Sequence, residues 1–351
     1  MLRLEPRQST PVWFNIALPI LAVLVTLVLC SGLIVLAGAN VFEAYGLMLK
    51  GAFGDFYALT ETLVKAAPMI FTGLAVAVAF RAKFWNIGAE GQLMAGAVAS
   101  CFVGSFAMPS ALAYIAMALA GAAAGGIAAL VPALLRVKLK VDDVVSSLLL
   151  NSVILLGVLA LIEGPWKDSL SGYPISPPIE DSANFPIFFE GTRLHLGVLA
   201  ALVAAPAIWF LITRTTLGFA IRVTGENAEA AAYGGIKVNA ILVATALLSG
   251  GLAGLAGVGE VGGVHFQVMG DLSPGYGYSG IVIAMLARLN PLGVVPAALF
   301  FAAAMTGAEA MSRATGVPVF LADVIQGTSL LTMLVALLFT SYRLRRSGVM
   351  A

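Results

Sequence analysis

Charge is what this sequence has least of. Of its 351 residues only 11% are Asp, Glu, Lys or Arg, against about 25% in an average soluble domain. The hydrophobic share is 60% and the mean hydropathy is +0.99. A soluble globule of this length could not cover its surface with so little charge, so the chain is an integral membrane protein. Cysteine is nearly missing as well. Cys30 and Cys101 both lie in apolar runs, where they read as small packing residues and not as a disulfide or metal site. There is no G-x-x-x-x-G-K-[ST], hence no ATP-binding P-loop in this chain, no H-E-x-x-H and no zinc-ligand spacing. A net charge of +1 leaves no basic footprint for nucleic acid.

The gaps between charges mark the membrane spans. Charge-free runs extend over Gln8–Phe42, Gly91–Leu135, Val144–Ile162, Leu194–Thr213, Val238–Gly259, Leu272–Ala287, Leu289–Ala308 and Val324–Tyr342. The longest holds two helices with Pro109-Ser110 as the turn. A further gap, Ala66–Phe80, is short for a span and suggests a tilted or broken helix. The expected fold is an all-α polytopic membrane protein of about ten transmembrane helices: 16–38, 66–80, 86–108, 110–133, 144–163, 195–213, 238–258, 278–290, 292–308 and 318–340. Eight crossings suffice if the short segments are re-entrant. One transmembrane domain then fills 1–351.

With the N-terminus inside, 14 of the 19 Lys and Arg residues fall in cytoplasmic segments and 5 outside. The positive-inside rule therefore places both ends in the cytoplasm and requires an even number of crossings. It makes 1–15 a cytoplasmic N-terminus, 164–194 an external loop rich in proline, 214–237 a cytoplasmic loop and 341–351 a cytoplasmic tail. Ala37-Gly38-Ala39 has the look of a signal-peptidase site, but the apolar run before it exceeds a signal h-region, so the first span reads as an uncleaved anchor.

Polar residues interrupt the apolar runs at two places. Phe84-Trp85-Asn86-Ile87-Gly88-Ala89-Glu90-Gly91-Gln92 opens a long span. Asn86 there can cap a helix, with Glu90 in its first turns. Alternatively Asn86, Glu90 and Gln92 supply hydrogen bonds within the bundle, since a carboxylate at this depth needs a partner or water. The second interruption, Gly259–Gly280, carries Glu260, His265, Gln267 and Asp271 among seven glycines. It is either an outside loop or a re-entrant gate beside a solute pathway, where irregular backbone is tolerated. Phe266, Tyr276 and Tyr278 could stack on a ring or sit at the interface. Gly277-Tyr278-Ser279-Gly280 matches a short intramembrane-protease pattern, but the required later histidine is missing, because His195 and His265 both come earlier. Asn151 reads as an interhelical hydrogen-bonding group, and Gly121-x3-Gly125 and Gly250-x3-Gly254 as close-packing motifs. In the loop 214–237, Asn227 can cap a short helix over Ala228–Tyr233 that Gly234-Gly235 ends. These residues alone leave open an ion-coupled secondary transporter using Glu90, Glu260 or Asp323, or a membrane scaffold.

Taken together, the two interruptions and the loop resemble the permeases of ABC importers for simple sugars and purine nucleosides. The first matches that family's FNIG-x-EGQ signature as Phe84 and Asn86–Gln92, with Trp85 interposed. The loop is similar to its G-x-A-x-R…GEN-x-EAA-x3-G stretch, here Gly218, Ala220, Arg222, Gly225-Glu226-Asn227, Glu229-Ala230-Ala231 and Gly235. Gly280-Ile281-Val282 through Asn290-Pro291-Leu292-Gly293 is a third likeness. Ala228 stands where the family often has proline. The resemblance implies a multi-pass permease of the inner (plasma) membrane with no covalent chemistry and no cofactor of its own. ATP and Mg would bind a partner ATPase. Further partners would be a second, related permease and an external binding protein or lipoprotein. Arg222, Glu226, Asn227, Glu229, Ala230, Ala231 and Gly235 would couple to the ATPase. Asn86, Glu90, Gln92, Glu260, His265, Gln267, Tyr276 and Tyr278 would lie along the solute pathway. The solute would be a purine nucleoside, with a simple sugar as the alternative.

Overall fold

The computed structural model describes residues 2–6, 14–168 and 172–346. Parts of the expected N-terminal segment, external loop and C-terminal tail therefore lie outside the described residues. Thirteen α-helices are described: α1 Phe14–Leu36, α2 Val41–Phe53, α3 Phe56–Arg81, α4 Ala89–Gly104, α5 Ser110–Leu139, α6 Asp143–Glu163, α7 Leu196–Arg214, α8 Thr216–Glu226, α9 Ala228–Tyr233, α10 Val238–Glu260, α11 Tyr276–Leu286, α12 Pro291–Thr315 and α13 Leu321–Ser341. Each of the ten apolar segments falls on one of them. Among the described residues six helices (α3, α5, α6, α7, α10 with its extension to His265, and α12) are long and apolar enough to cross a membrane, or seven spans if bent α1–α2 counts as one. The α1–α2 pair turns through 114°, and α11 has only 11 residues.

The chain forms two compact units, Phe53–Ala302 and Met1–Ala52 with Ala303–Ala351. In the second of these, α1 packs along α13, where Thr26 and Thr332 hydroxyls meet at 2.9 Å. β1, Leu2–Pro6, pairs antiparallel with β2, Tyr342–Arg346.

The larger unit is built on α4, α5 and α10. Both small-residue motifs meet here. A side chain on Gly125 would run into the Gly250 carbonyl, and one on Gly254 into the Gly121 carbonyl. Without Cβ atoms the two backbones touch, which substitutes for the hydrophobic drive that lipid cannot supply. α3 packs on α10 and α11 and is almost wholly shielded. It begins at Phe56, not at residue 66, and so takes in Lys65 and Glu61, the latter buried and paired. Asp55 caps its start by accepting from Ala58 N–H at 2.7 Å.

Candidate functional site

α3 ends at Arg81, and the chain reaches α4 through a tight turn in which Lys83 takes a left-handed conformation, φ 52. The helix cap is Gly88, without a side-chain bond, so Asn86 is not the cap that its position suggested. Its amide is used elsewhere. Asn86 Nδ2 donates to Gln92 Oε1 at 2.9 Å and to Ser249 Oγ at 3.0 Å, while Gln92 Nε2 donates back to Asn86 Oδ1 at 2.8 Å. Ser249 in turn donates to the Ala75 carbonyl at 2.8 Å. This buried network joins α3, α4 and α10, and full pairing is what makes such groups affordable away from water.

Glu90 projects the other way. Its Oε2 accepts the Gly277 N–H at 2.6 Å, and Ser273 and the Gly275 amide also bond to it. The carboxylate thus sits at the N-terminus of α11 as well as in the first turn of α4, favourable for a negative charge at both. Tyr276 is buried, and its carbonyl accepts from Thr72 Oγ1 at 2.9 Å. Tyr278 is 38% exposed, with its hydroxyl 3.5 Å from Asn151 Nδ2. Asn151 makes the interhelical bonds its position implied, donating to Ile87 O and accepting from Gly91 N–H, both at 2.8 Å. Glu90 is thus brought to the start of α11 with Tyr276, and Tyr278 reaches the turn through Asn151, whereas Asn86 and Gln92 pair with each other and with α10.

Glu260, His265 and Gln267 form a separate group. After Glu260 the helix widens into a π turn, Val261–His265, and ends at Phe266 with φ 59. His265 Nδ1 lies 3.3 Å from the buried Glu260 Oε2. Gln267 is partly exposed. The 164–194 loop is laid over this turn: Phe185 N–H donates to Gly262 O at 2.7 Å and Ile179 N–H to Phe266 O at 2.8 Å. Beside it, Arg193 makes a two-point ion pair with buried Glu61. Those hydrogen bonds push the Arg193 pKa up, so it stays charged.

At the opposite end of α3, the turn and α8 meet. Lys83 Nζ reaches the Glu226 carbonyl at 3.5 Å. Asn227 caps α9 by accepting from Glu229 and Ala230 N–H, both at 3.0 Å, without help from proline. Gly235, φ 84, ends it. Glu229 and Ala230 are exposed, and Tyr233 is 98% exposed. Ala231 faces inward, 1% exposed, so it seats the helix and does not present a surface. Arg222 is half-buried, its Nε without a partner. Sequence reasoning passed over Arg136, Asp143, Ser147 and Ser249, each of which bonds to this turn or its network. The Asp142-Asp143 pair opening an apolar run was the available signal.

A short capped helix thus stands out from a polar loop, beside a broken and hydrogen-bonded bundle. Residues 58–338 match the model of the branched-chain amino acid transport system/permease component family. The chain belongs to that family. It is 34% identical to a glucose ABC transporter permease of Haloferax volcanii over 97% of this chain and 93% of that protein. It is 31% identical to a guanosine ABC transporter permease of Bacillus subtilis, over 94% and 95% respectively. A nucleoside ABC transporter permease of Lactococcus lactis is 28% identical, over 87% and 86%. No solved structure matches the chain. The protein is thus a multi-pass permease subunit of an ABC importer in the plasma membrane, not an enzyme, and ATP hydrolysis belongs to a partner. The secondary-transporter and scaffold alternatives fall away.

Proposed function

We propose that this permease imports a purine nucleoside handed over by an external binding protein, as one half of a pair with a related permease. Relatives named for guanosine and for nucleosides support the solute class. The geometry favours it too. The partly exposed Tyr278, with Tyr276 behind it, stands where α11 restarts after the break, and an aromatic ring suits a purine face. The pathway runs past this break, with Glu90 holding the α11 terminus, Asn86 and Gln92 bracing the turn before α4 against α10, and His265, Gln267 and Glu260 further along. A simple sugar is the second reading, because the relative at 34% identity is a glucose permease.

The partner ATPase, binding ATP and Mg, docks on α9, and the observation that carries this is the exposed surface of Glu229, Ala230, Ala232 and Tyr233 on an otherwise apolar chain. Asn227 caps that helix, and Arg222 and Glu226 precede it on α8 as further groups for the ATPase to engage. Ten crossings with both ends inside fit the 14 of 19 cations assigned to cytoplasmic segments. The β1–β2 pairing supports two ends on one side.

The deciding experiment measures ligand binding by the partner binding protein, then uptake of that ligand in a strain lacking this permease. Guanosine binding with permease-dependent guanosine uptake is the expected result. Glucose uptake in its place would overturn the nucleoside reading.

A further inference from the structure

The turn between α3 and α4 is gripped at both ends by backbone packed on backbone. At its start, Gly225 of α8 lies against the end of α3, and a side chain there would run into the Arg81 carbonyl oxygen. At its far end, Gly277 of α11 lies against Glu90, and a side chain there would run into the Glu90 backbone nitrogen. Between these points, side chains of α5 and α6 hold the turn's own backbone. Arg136 Nη1 donates to the Lys83 carbonyl at 2.7 Å and pairs with Asp143. Asp143 Oδ2 accepts Trp85 N–H at 2.7 Å, and Ser147 Oγ accepts Ile87 N–H at 3.1 Å. Asn151 takes Gly91 N–H and gives to the Ile87 carbonyl. Lys83 stays left-handed, a conformation a non-glycine residue keeps only where its surroundings fix it. A segment braced in this way moves as a body, because close-packed contacts do not compress.

We propose that this turn is the relay between the ATPase and the solute pathway. Displacement of α8 and α9 passes through Gly225 to the turn, and from Glu90 through Gly277 to α11. Gly225 and Gly277 are positioning residues at its two ends. The relay rests on the reading that α9 is the ATPase dock. It also meets the physical requirement for coupling, since both contacts join elements that must shift together between two states.

The test uses the complete transporter, with ATPase and binding protein, reconstituted in vesicles. Solute transported per ATP hydrolysed is the readout, because a merely structural loss lowers both quantities together. Gly225→Ala and Gly277→Ala should each retain the ATPase and lower this ratio about tenfold, within the usual range of coupling factors. The double variant should fall no further than the worse single, since both cut one relay. Asp143→Asn, which keeps the side chain's size, should give an intermediate ratio and decides the matter where a glycine variant fails to assemble. A ratio within about twofold of the unaltered protein in Gly225→Ala, or in Asp143→Asn under that condition, overturns the relay. So does a double variant whose loss is the product of the two singles. Docking is read separately by ATPase copurification with Tyr233→Asp: undiminished copurification removes the α9 dock and the relay with it, whatever the transport ratio at Gly225.

Discussion

Arg193 approaches Glu61 with two nitrogens at once, Nε and Nη2, each on a different carboxylate oxygen. The carboxylate is buried in α3 and the guanidinium half exposed in the loop before α7. The pair pins that loop to the central helix, and the two partners are unequal. Removing the arginine strands a buried charge, whereas removing the acid leaves a guanidinium that water can reach.

Thermal unfolding in detergent should reflect this inequality. Arg193→Ala is expected to destabilise by about 1–2 kcal/mol, the lower part of the range for charged hydrogen bonds because the arginine is partly solvated. Glu61→Gln should cost less, and Arg193→Lys should rescue only in part because it cannot offer two fixed donors. A larger loss in Glu61→Gln than in Arg193→Ala would contradict the assignment of the buried partner.

Sidedness can be read with single cysteines. Tyr173, in the loop after α6, and Ala232, on α9, are both exposed. The native Cys30 and Cys101 are buried and give a low background. A membrane-impermeant thiol reagent should modify Tyr173→Cys in intact cells and Ala232→Cys only after permeabilisation. Modification of both from one side would reverse the proposed orientation.

On α9 the exposed and buried faces predict different failures. Tyr233→Asp should weaken ATPase copurification while leaving the isolated permease as stable as before. Ala231→Arg should unseat the helix and lower stability as well, since its position has no room. Asn227→Ala removes the cap and should cost about 1 kcal/mol locally. If Tyr233→Asp and Ala231→Arg behave alike in both assays, the two-faced picture of α9 is wrong.

At Glu90, charge and hydrogen bonding can be separated. Glu90→Ala leaves the Gly277 amide without its acceptor and should reduce transport by about tenfold or more. Glu90→Gln keeps a neutral acceptor and should retain an intermediate rate. Full activity in Glu90→Ala would show that this contact has no part in transport.

Much of this arrangement was legible in the residues. Asn227, Ala228–Tyr233 and Gly234-Gly235 gave the cap, body and end of α9 because capping is local chemistry. Small residues at Gly121, Gly125, Gly250 and Gly254 announced close packing, although not that the two motifs would face each other. Spans were found where charge is missing, and this rule failed where a charge is neutralised inside the protein. Lys65 and Glu61, both partnered, hid the first half of α3 for that reason. Asn86 was harder: its amide satisfies Gln92 and Ser249, the latter 163 positions away, and no local pattern records a partner so distant. α2 went unseen because Glu43 and Lys50 interrupt its apolar run.

The uneven shielding of the helices bears on how the chain enters the membrane. The most apolar stretch of α3 is 89% covered by protein, whereas that of α6 is 22% covered. The uncovered side chains of α6 are apolar and by themselves favour partition into the bilayer. α3 carries Glu61, Thr60, Thr62 and Thr72 among its buried residues and reaches its final surroundings only when α10 and α11, more than 150 residues later in synthesis, have arrived. A chain truncated before α10 would leave Thr72 without its α11 partner and uncover the face of this apolar helix that α10 and α11 shield. The final packing of α3, though not its entry into the bilayer, therefore waits on the C-terminal half of the chain.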